Sequence, residues 1–397
     1  MAPDELAALA INRIPFLKPR EKLLLLEVCA TPERLASLPA AALPVILGRT
    51  VRSRNWDPPG ELRRAEADQK LLTSGSIRCT FIWSPDFPLL LKEIYDPPVV
   101  LYYRGILPKP QEVWVGIVGT RQPTGMGRDA AFALGFELAG LGVGTVSGLA
   151  RGIDSEAHRG SLAEGGRTVG VLGNGIDRVF PGSSVPLGRR ILAGGGCILS
   201  EYPPGEPPHP YHFPGRNRII SGLARAVVVV QAPEGSGALI TADYALEQGR
   251  ELLVHADGLE GPAGAGTRAL ADEGAQAVRG AAEVLAGWGE DPLLRRRDPL
   301  LRHGRLPALA ARQAATAGRE PALAARTASG AGREAAGGGP KGAAGGAQGA
   351  SCSQSALDAL RAALASRRWS AAEELARQLE GELSHQLAVH NGEVLYG

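Results

Sequence analysis

Residues 150–158 read ARGIDSEAH and bring Arg151, Gly152, Asp154 and His158 into one short stretch. Two chemistries fit such a set. Asp154 and His158 are four apart and share one face of a helix, a spacing that suits an acid–base pair. Arg151 and Gly152 instead suit a strand exit that opens a helix and grips an anion. Helix N-termini offer unpaired N–H groups, and glycine lets the backbone come close to a ligand. No nucleophile-elbow or metal-binding motif lies nearby in the sequence to complete a reaction centre. Asp154 then reads as an acid in a helix's first turn, where the macrodipole favours it. His158 reads as a packed or hydrogen-bonded core residue. The stretch is expected to be an anion grip, with Arg151 and Gly152 as its functional residues.

Loops of similar chemistry recur at GTRQPTGMG (119–127), SGLARGID (147–154), GNG (173–175), FPGRNRIISG (213–222) and EGSGALITA (234–242). Common nucleotide and hydrolase motifs do not match them. Gly116, Gly119, Gly125 and Gly127 do not form GxGxxG, and no acid ends the second strand of this region to hold a ribose hydroxyl. A GxxxxGK[ST] loop, an HExxH pair and a GxSxG elbow are all missing. Cys29, Cys79, Cys197 and Cys352 are far apart without CxxC spacing. They suggest neither a zinc site nor a disulfide framework, but reduced thiols in a cytoplasmic protein. The expectation is a binding protein with no metal, no cofactor and no catalytic centre.

The elements that must position these loops are legible in the chain. At 397 residues it is too long for one ordinary domain, and its formal charge of +2 confines any nucleic-acid binding to a local patch. Residues 1–70 carry apolar positions at helical spacing with proline punctuation and predict a small helical domain. The N-terminus has early acids and no basic n-region, and LLLL at 23–26 is too short for a signal core or a membrane span. IRCTFIW and VVLYY, between 71 and 105, predict strands. From 113 to 256, apolar strand-like runs alternate with helical segments at about the length of one strand plus crossover helix. Near-continuous apolar strands mean burial on both faces, so residues 71–290 predict an α/β domain with a doubly wound parallel sheet. In such sheets ligands bind outside the carboxyl ends of the strands, where all five loops fall. Residues 291–352 are Ala-, Gly- and Arg-rich, with ten Lys or Arg against four Asp or Glu, and predict a flexible basic linker. Residues 353–397 turn helical again, with Leu375, Leu379, Leu383 and Leu387 in a stripe.

Taken together, these motifs resemble the DNA-processing protein A family, DprA, also called Smf. The landmarks are SPDFPLLLKEIYDPPVVLYYRG, GIVGTR, VSGLARGIDSEAHRGSLAEGGRTVGVLGNGIDRVFP, LSEYPPGEPP and FPGRNRIISGLARAVVVVQAPEGSGALITADYALEQGRE, in that order over 83–290. The resemblance implies an extended Rossmann-like fold that is not an enzyme. It also implies binding of single-stranded DNA, a homodimer, and help in loading the RecA recombinase on incoming DNA during natural transformation. It places the DNA-binding residues at Gly119, Thr120 and Arg121; at Ser147, Gly148, Arg151 and Gly152; at Phe213, Arg216, Asn217 and Arg218; and at Ser236, Gly237 and Thr241, with Ala238 in place of a second serine. The family's N-terminal domain is sterile-alpha-motif-like, and 353–397 sits where many members carry a winged helix. The competing reading is a Rossmann-fold nucleoside-monophosphate hydrolase of the lysine-decarboxylase-like type. That family relies on a PGGxGTxxE loop, and PEGSGALITA lacks the glutamate at the required spacing.

Overall fold

The computed structural model describes residues 3–51, 56–74 and 77–288. The linker and winged-helix expectations, and Cys352, lie outside these residues. Five helices open the chain: α1 (Glu5–Arg13), α2 (Pro19–Val28), α3 (Pro32–Ser37), α4 (Leu43–Leu47) and α5 (Pro58–Ser74). Local chemistry sets their starts. Asp4 accepts the N–H groups of Leu6 and Ala7, and Thr31 caps α3 with Pro32 at the first helical position. The helical region expected to end at 70 runs on to Ser74 within α5.

A nine-stranded sheet follows. Its elements in chain order are β1 (Arg78–Phe81), α6 (Leu89–Lys92), β2 (Val100–Gly105), β3 (Trp114–Val118), α7 (Gly125–Gly140), β4 (Gly144–Ser147), α8 (Ile153–Ala163), β5 (Thr168–Val171), α9 (Val185–Ala193), β6 (Cys197–Ser200), α10 (His212–Leu223), β7 (Ala226–Val229), α11 (Gly237–Glu247), β8 (Glu251–His255), α12 (Ala265–Asp272), β9 (Gln276–Val278) and α13 (Ala281–Leu285). The strand order is β1-β2-β6-β5-β4-β3-β7-β8-β9. All pairs from β6 to β9 are parallel, as the alternating pattern predicts. The sheet is mixed at one edge, because β2 runs antiparallel to both β6 and β1. An antiparallel edge on a parallel sheet needs no crossover helix, which is why the rhythm of 113–256 gave no sign of it.

Both faces of the sheet are buried. On β7, Val227 and Val229 join one cluster, with Leu223 of α10 and Ala242 of α11, while Ala226 and Val228 join another, with Leu134 of α7 and Ala157 of α8. Successive side chains point to opposite faces, so a strand buried twice reads as an unbroken apolar run. A third cluster unites Leu9, Ile11 and Leu25 of the opening helices with Tyr102 of β2 and Ile198 of β6.

Helices α7 and α8 meet through glycines. A Cβ on Gly160 would stand 2.0 Å from the Phe132 carbonyl oxygen, and one on Gly135 would stand 2.3 Å from that of Ala157. Valine at Gly160 must push the helices apart. Gly160→Val is expected to lower stability by about 1–3 kcal/mol, the usual cost of overpacking, with Gly160→Ala costing less. Urea unfolding midpoints check this, and a valine variant as stable as wild type would rule out the close crossing.

Candidate nucleic-acid interface

Strand β3 lies between β4 and β7: the chain runs outward from it through β4 and β5 to β6, then crosses back to its other side at β7. A crevice opens at such a switch point, beyond the carboxyl ends of the strands. Here it is a cleft of about 1010 Å³ bounded by the loops after β3, β4 and β7 and by the starts of α10 and α11.

The loop after β3 is held from beneath. The Thr120 N–H donates to the Gln231 carbonyl at 2.7 Å, and the Gln231 side chain accepts the Thr124 N–H at 2.8 Å. Thr124 caps α7 by accepting the Gly127 N–H at 3.1 Å. The Thr120 carbonyl accepts the Ile153 N–H at 3.2 Å, which joins this loop to the start of α8. That junction requires glycine at 152. Its φ is +79°, and a Cβ there would stand 2.3 Å from the Thr120 oxygen. With the backbones locked, the side chains of Arg121 and Arg151 are left exposed at the cleft.

The loop after β4 is clamped by two buried charges. The Asp154 carboxylate accepts the N–H groups of Gly148 (3.1 Å) and Ala150 (3.4 Å). Arg216, only 5% exposed, donates to the carbonyls of Gly148 (2.9 Å) and Val171. Burial pulls the Arg216 guanidinium down to about 10, opposed by the Asp154 charge, so it stays cationic at neutral pH. Burial also raises the Asp154 carboxyl, while Arg216 and the two N–H donors pull it back. A Cβ on Gly148 would meet both side chains, at 2.6 Å from Arg216 and 2.7 Å from Asp154. The next residue, Leu149, is held at φ +57° with its side chain wholly buried.

The FPGRNR stretch forms the first turns of α10 rather than a loop. Phe213 lines the cleft, with its ring 5.8 Å from that of Phe180 and the Arg121 guanidinium 5.9 Å from its centre. Asn217 donates to the Gly237 carbonyl at 3.1 Å, tying α10 to the start of α11. Ser236 caps α11 by accepting the Ala238 N–H at 3.3 Å.

Gly119, Thr120, Arg121, Arg151, Phe213, Arg216, Asn217, Ser236, Gly237 and Thr241 therefore converge on the cleft. The other residues of the predicted set stand behind it. Ser147 donates to the Ile117 carbonyl at 2.6 Å, and Gly148 and Gly152 make room for neighbouring groups. Arg218 is 4% exposed and forms a two-pronged pair with Glu201 at 2.8 and 2.7 Å. The Glu201 carbonyl in turn accepts the Asn12 side-chain N–H at 2.9 Å, and the Asn12 carbonyl accepts from the Lys22 ammonium at 2.6 Å. Sequence reasoning missed Gln231, Glu201 and Phe180. Only Phe180, 41% exposed beside a proline in DRVFP, left a signal that could have been read as a surface aromatic.

His158 lies in the core. The Thr168 hydroxyl donates to the Thr145 carbonyl at 2.9 Å, so it accepts the His158 Nδ1–H at 2.6 Å, which assigns the tautomer. His158 does not line the cleft.

The fold and cleft define an extended Rossmann-like protein. Its cleft is lined by arginines, an aromatic pair and close backbone turns at the switch point. The family model for DNA recombination-mediator protein A matches residues 78–289, and the chain belongs to that family. It is 43% identical over 207 residues to the DNA processing protein DprA of Bacillus subtilis, covering 51% of this chain and 69% of that one. It is 45% identical over 214 residues to protein Smf of Synechocystis, covering 53% of this chain and 54% of that one. The crystal structure of DNA processing protein A from Streptococcus pneumoniae superposes with a TM-score of 0.59 at 32% identity, over 72% of this chain and 98% of that one.

The core histidine makes stability depend on pH. Burial, with the Arg216 charge behind it, lowers the His158 pKa from 6.5 to about 3. Between those values the unfolded chain takes up a proton at this position and the folded chain does not. Stability is complete above pH 6.5 and falls as the pH drops through the window, by up to about 1.4 kcal/mol per pH unit. Urea unfolding above and below pH 6.5 is expected to show this loss in wild type and a shallower one in His158→Asn. Equal slopes would contradict a neutral buried imidazole.

Proposed function

We propose that the protein binds single-stranded DNA in this cleft as a recombination mediator, without catalysing a reaction. The observation that carries the reading is the meeting of exposed Arg121 and Arg151 with the Phe213–Phe180 pair at the switch point. Guanidiniums take phosphates through charge-assisted hydrogen bonds, and the N-termini of α8 and α11 add backbone N–H groups. Phenylalanine faces offer stacking to bases of any sequence. An unpaired base can turn its face to such a ring, whereas in a duplex both faces are already stacked. The family's DNA-processing relatives support the same reading. Family resemblance extends the proposal to a homodimer in the cytoplasm that helps load RecA onto the bound strand during natural transformation.

The hydrolase alternative finds less support. The cleft-lining carboxylates among the described residues are Asp154 and Glu234. Asp154 is engaged by two N–H donors and the Arg216 charge, and Glu234 is an exposed loop residue.

Arg121→Ala and Arg151→Ala are each expected to weaken single-strand binding by about 1–3 kcal/mol. Each should also flatten the log–log salt dependence by about 0.7, the slope of one phosphate contact. Neither should move the melting temperature. Arg218→Ala is expected to behave oppositely, costing about 3–5 kcal/mol of stability because Glu201 is left unpaired. Fluorescence-anisotropy titrations at several salt concentrations, with a duplex of equal length as control, provide the measurement. Equal affinity for both forms, or binding that ignores salt, would overturn the reading.

A further inference from the structure

Just outside the cleft, residues 208–214 read PHPYHFP. Pro208, Pro210, Phe213 and Pro214 line the cleft, but Tyr211 does not, and it is 67% exposed. A lone exposed tyrosine is unremarkable in itself. This one is held in place on more than one side. Its ring lies nearly parallel to that of His209, 8° apart with centres 5.2 Å apart. His212 meets it edge-on at 4.6 Å, and His212 is itself buried and stacked on Tyr202 at 3.9 Å. The His212 N–H donates to the His209 carbonyl at 3.0 Å, closing the turn. Prolines on either side restrict the backbone further. Glu206 stands 3.8 Å from His209 and 4.0 Å from His212.

An aromatic face fixed before its ligand arrives loses little entropy on binding. We propose that Tyr211, backed by His209, is a second nucleobase platform on the lip of the cleft, stacking a base of the strand whose neighbouring base lies against Phe213. One residue, His212, separates these two in the chain, at most about 7 Å from Cα to Cα, so one strand can reach both. The platform rests on the single-strand reading above and extends the path of the DNA beyond the cleft. It is sequence-tolerant, because every base has a face to stack.

The test uses the full chain, thymidine monophosphate, and oligothymidylates from about 4 to about 16 nucleotides, the span of known single-strand site sizes. Tyr211→Ala is expected to weaken the longer oligomers by about five-fold or more. It should leave thymidine monophosphate, whose single base cannot occupy both rings, bound as in wild type. Tyr211→Trp is expected to restore affinity, and its added fluorescence to be quenched on binding. Arg121→Ala, by contrast, should weaken every length. If wild type binds and Tyr211→Ala matches it at every length, or weakens all lengths alike, the platform is overturned while the cleft stands. If wild type binds no length, the functional reading fails and the platform with it.

Discussion

The guanidinium of Arg216 is the group on which the cleft depends. It is buried under the switch point, donates to carbonyls at the ends of β4 and β5, and faces Asp154, which holds the N–H groups of the same loop. A charge so placed is expensive unless every side of it is answered, and removing one partner of such a pair costs far more than the pair contributes. The loop between them can therefore take only one shape. Gly148 must lack a side chain, Leu149 must accept a left-handed backbone, and Gly152 must turn against Thr120. Arg151 is exposed at the cleft because the backbone before and after it has no freedom.

A second buried pair steadies the other wall. Arg218, at the middle of α10, is held by Glu201 just past the end of β6, and Glu201 is tied through Asn12 to α1 and Lys22. Burial lowers the Lys22 ammonium to about 8. The opening helices thus do more than cover an edge of the sheet. They brace the strand end from which the support of α10, and with it Phe213 and Asn217, is taken. The N-terminal helices and α10 share one network of polar contacts.

The arginines show where sequence reading stopped. Arg121, Arg151, Arg216 and Arg218 all stand in glycine-bearing motifs, and nothing in their neighbours separates them. In the structure two reach the cleft as exposed groups and two are buried under it or behind it. Partners far away in the chain make the difference: Arg218 pairs with Glu201, and Arg216 bonds to Val171, 45 positions away. Phe180 and Gln231 were missed for the same reason, since their roles exist only once the fold brings Phe180 to Phe213 of α10 and Gln231 to Thr124.

What the chain determined by itself was local and periodic. Unbroken apolar runs separated by helical spacing specify a sheet buried on both faces, and glycine-rich strand exits mark where its cleft opens, because these patterns need only a few neighbouring residues to take effect. The helix of His158 and its place in the core could likewise be read from spacing and from the absence of a nearby nucleophile-elbow or metal-binding motif. The tertiary structure alone decided the antiparallel edge, the division of the arginines into exposed cleft groups and buried struts, and the setting of Tyr211 against His209 and His212. Those outcomes depend on which distant groups meet, and a buried charge or a stacked ring takes its role from its surroundings rather than from its own position in the chain.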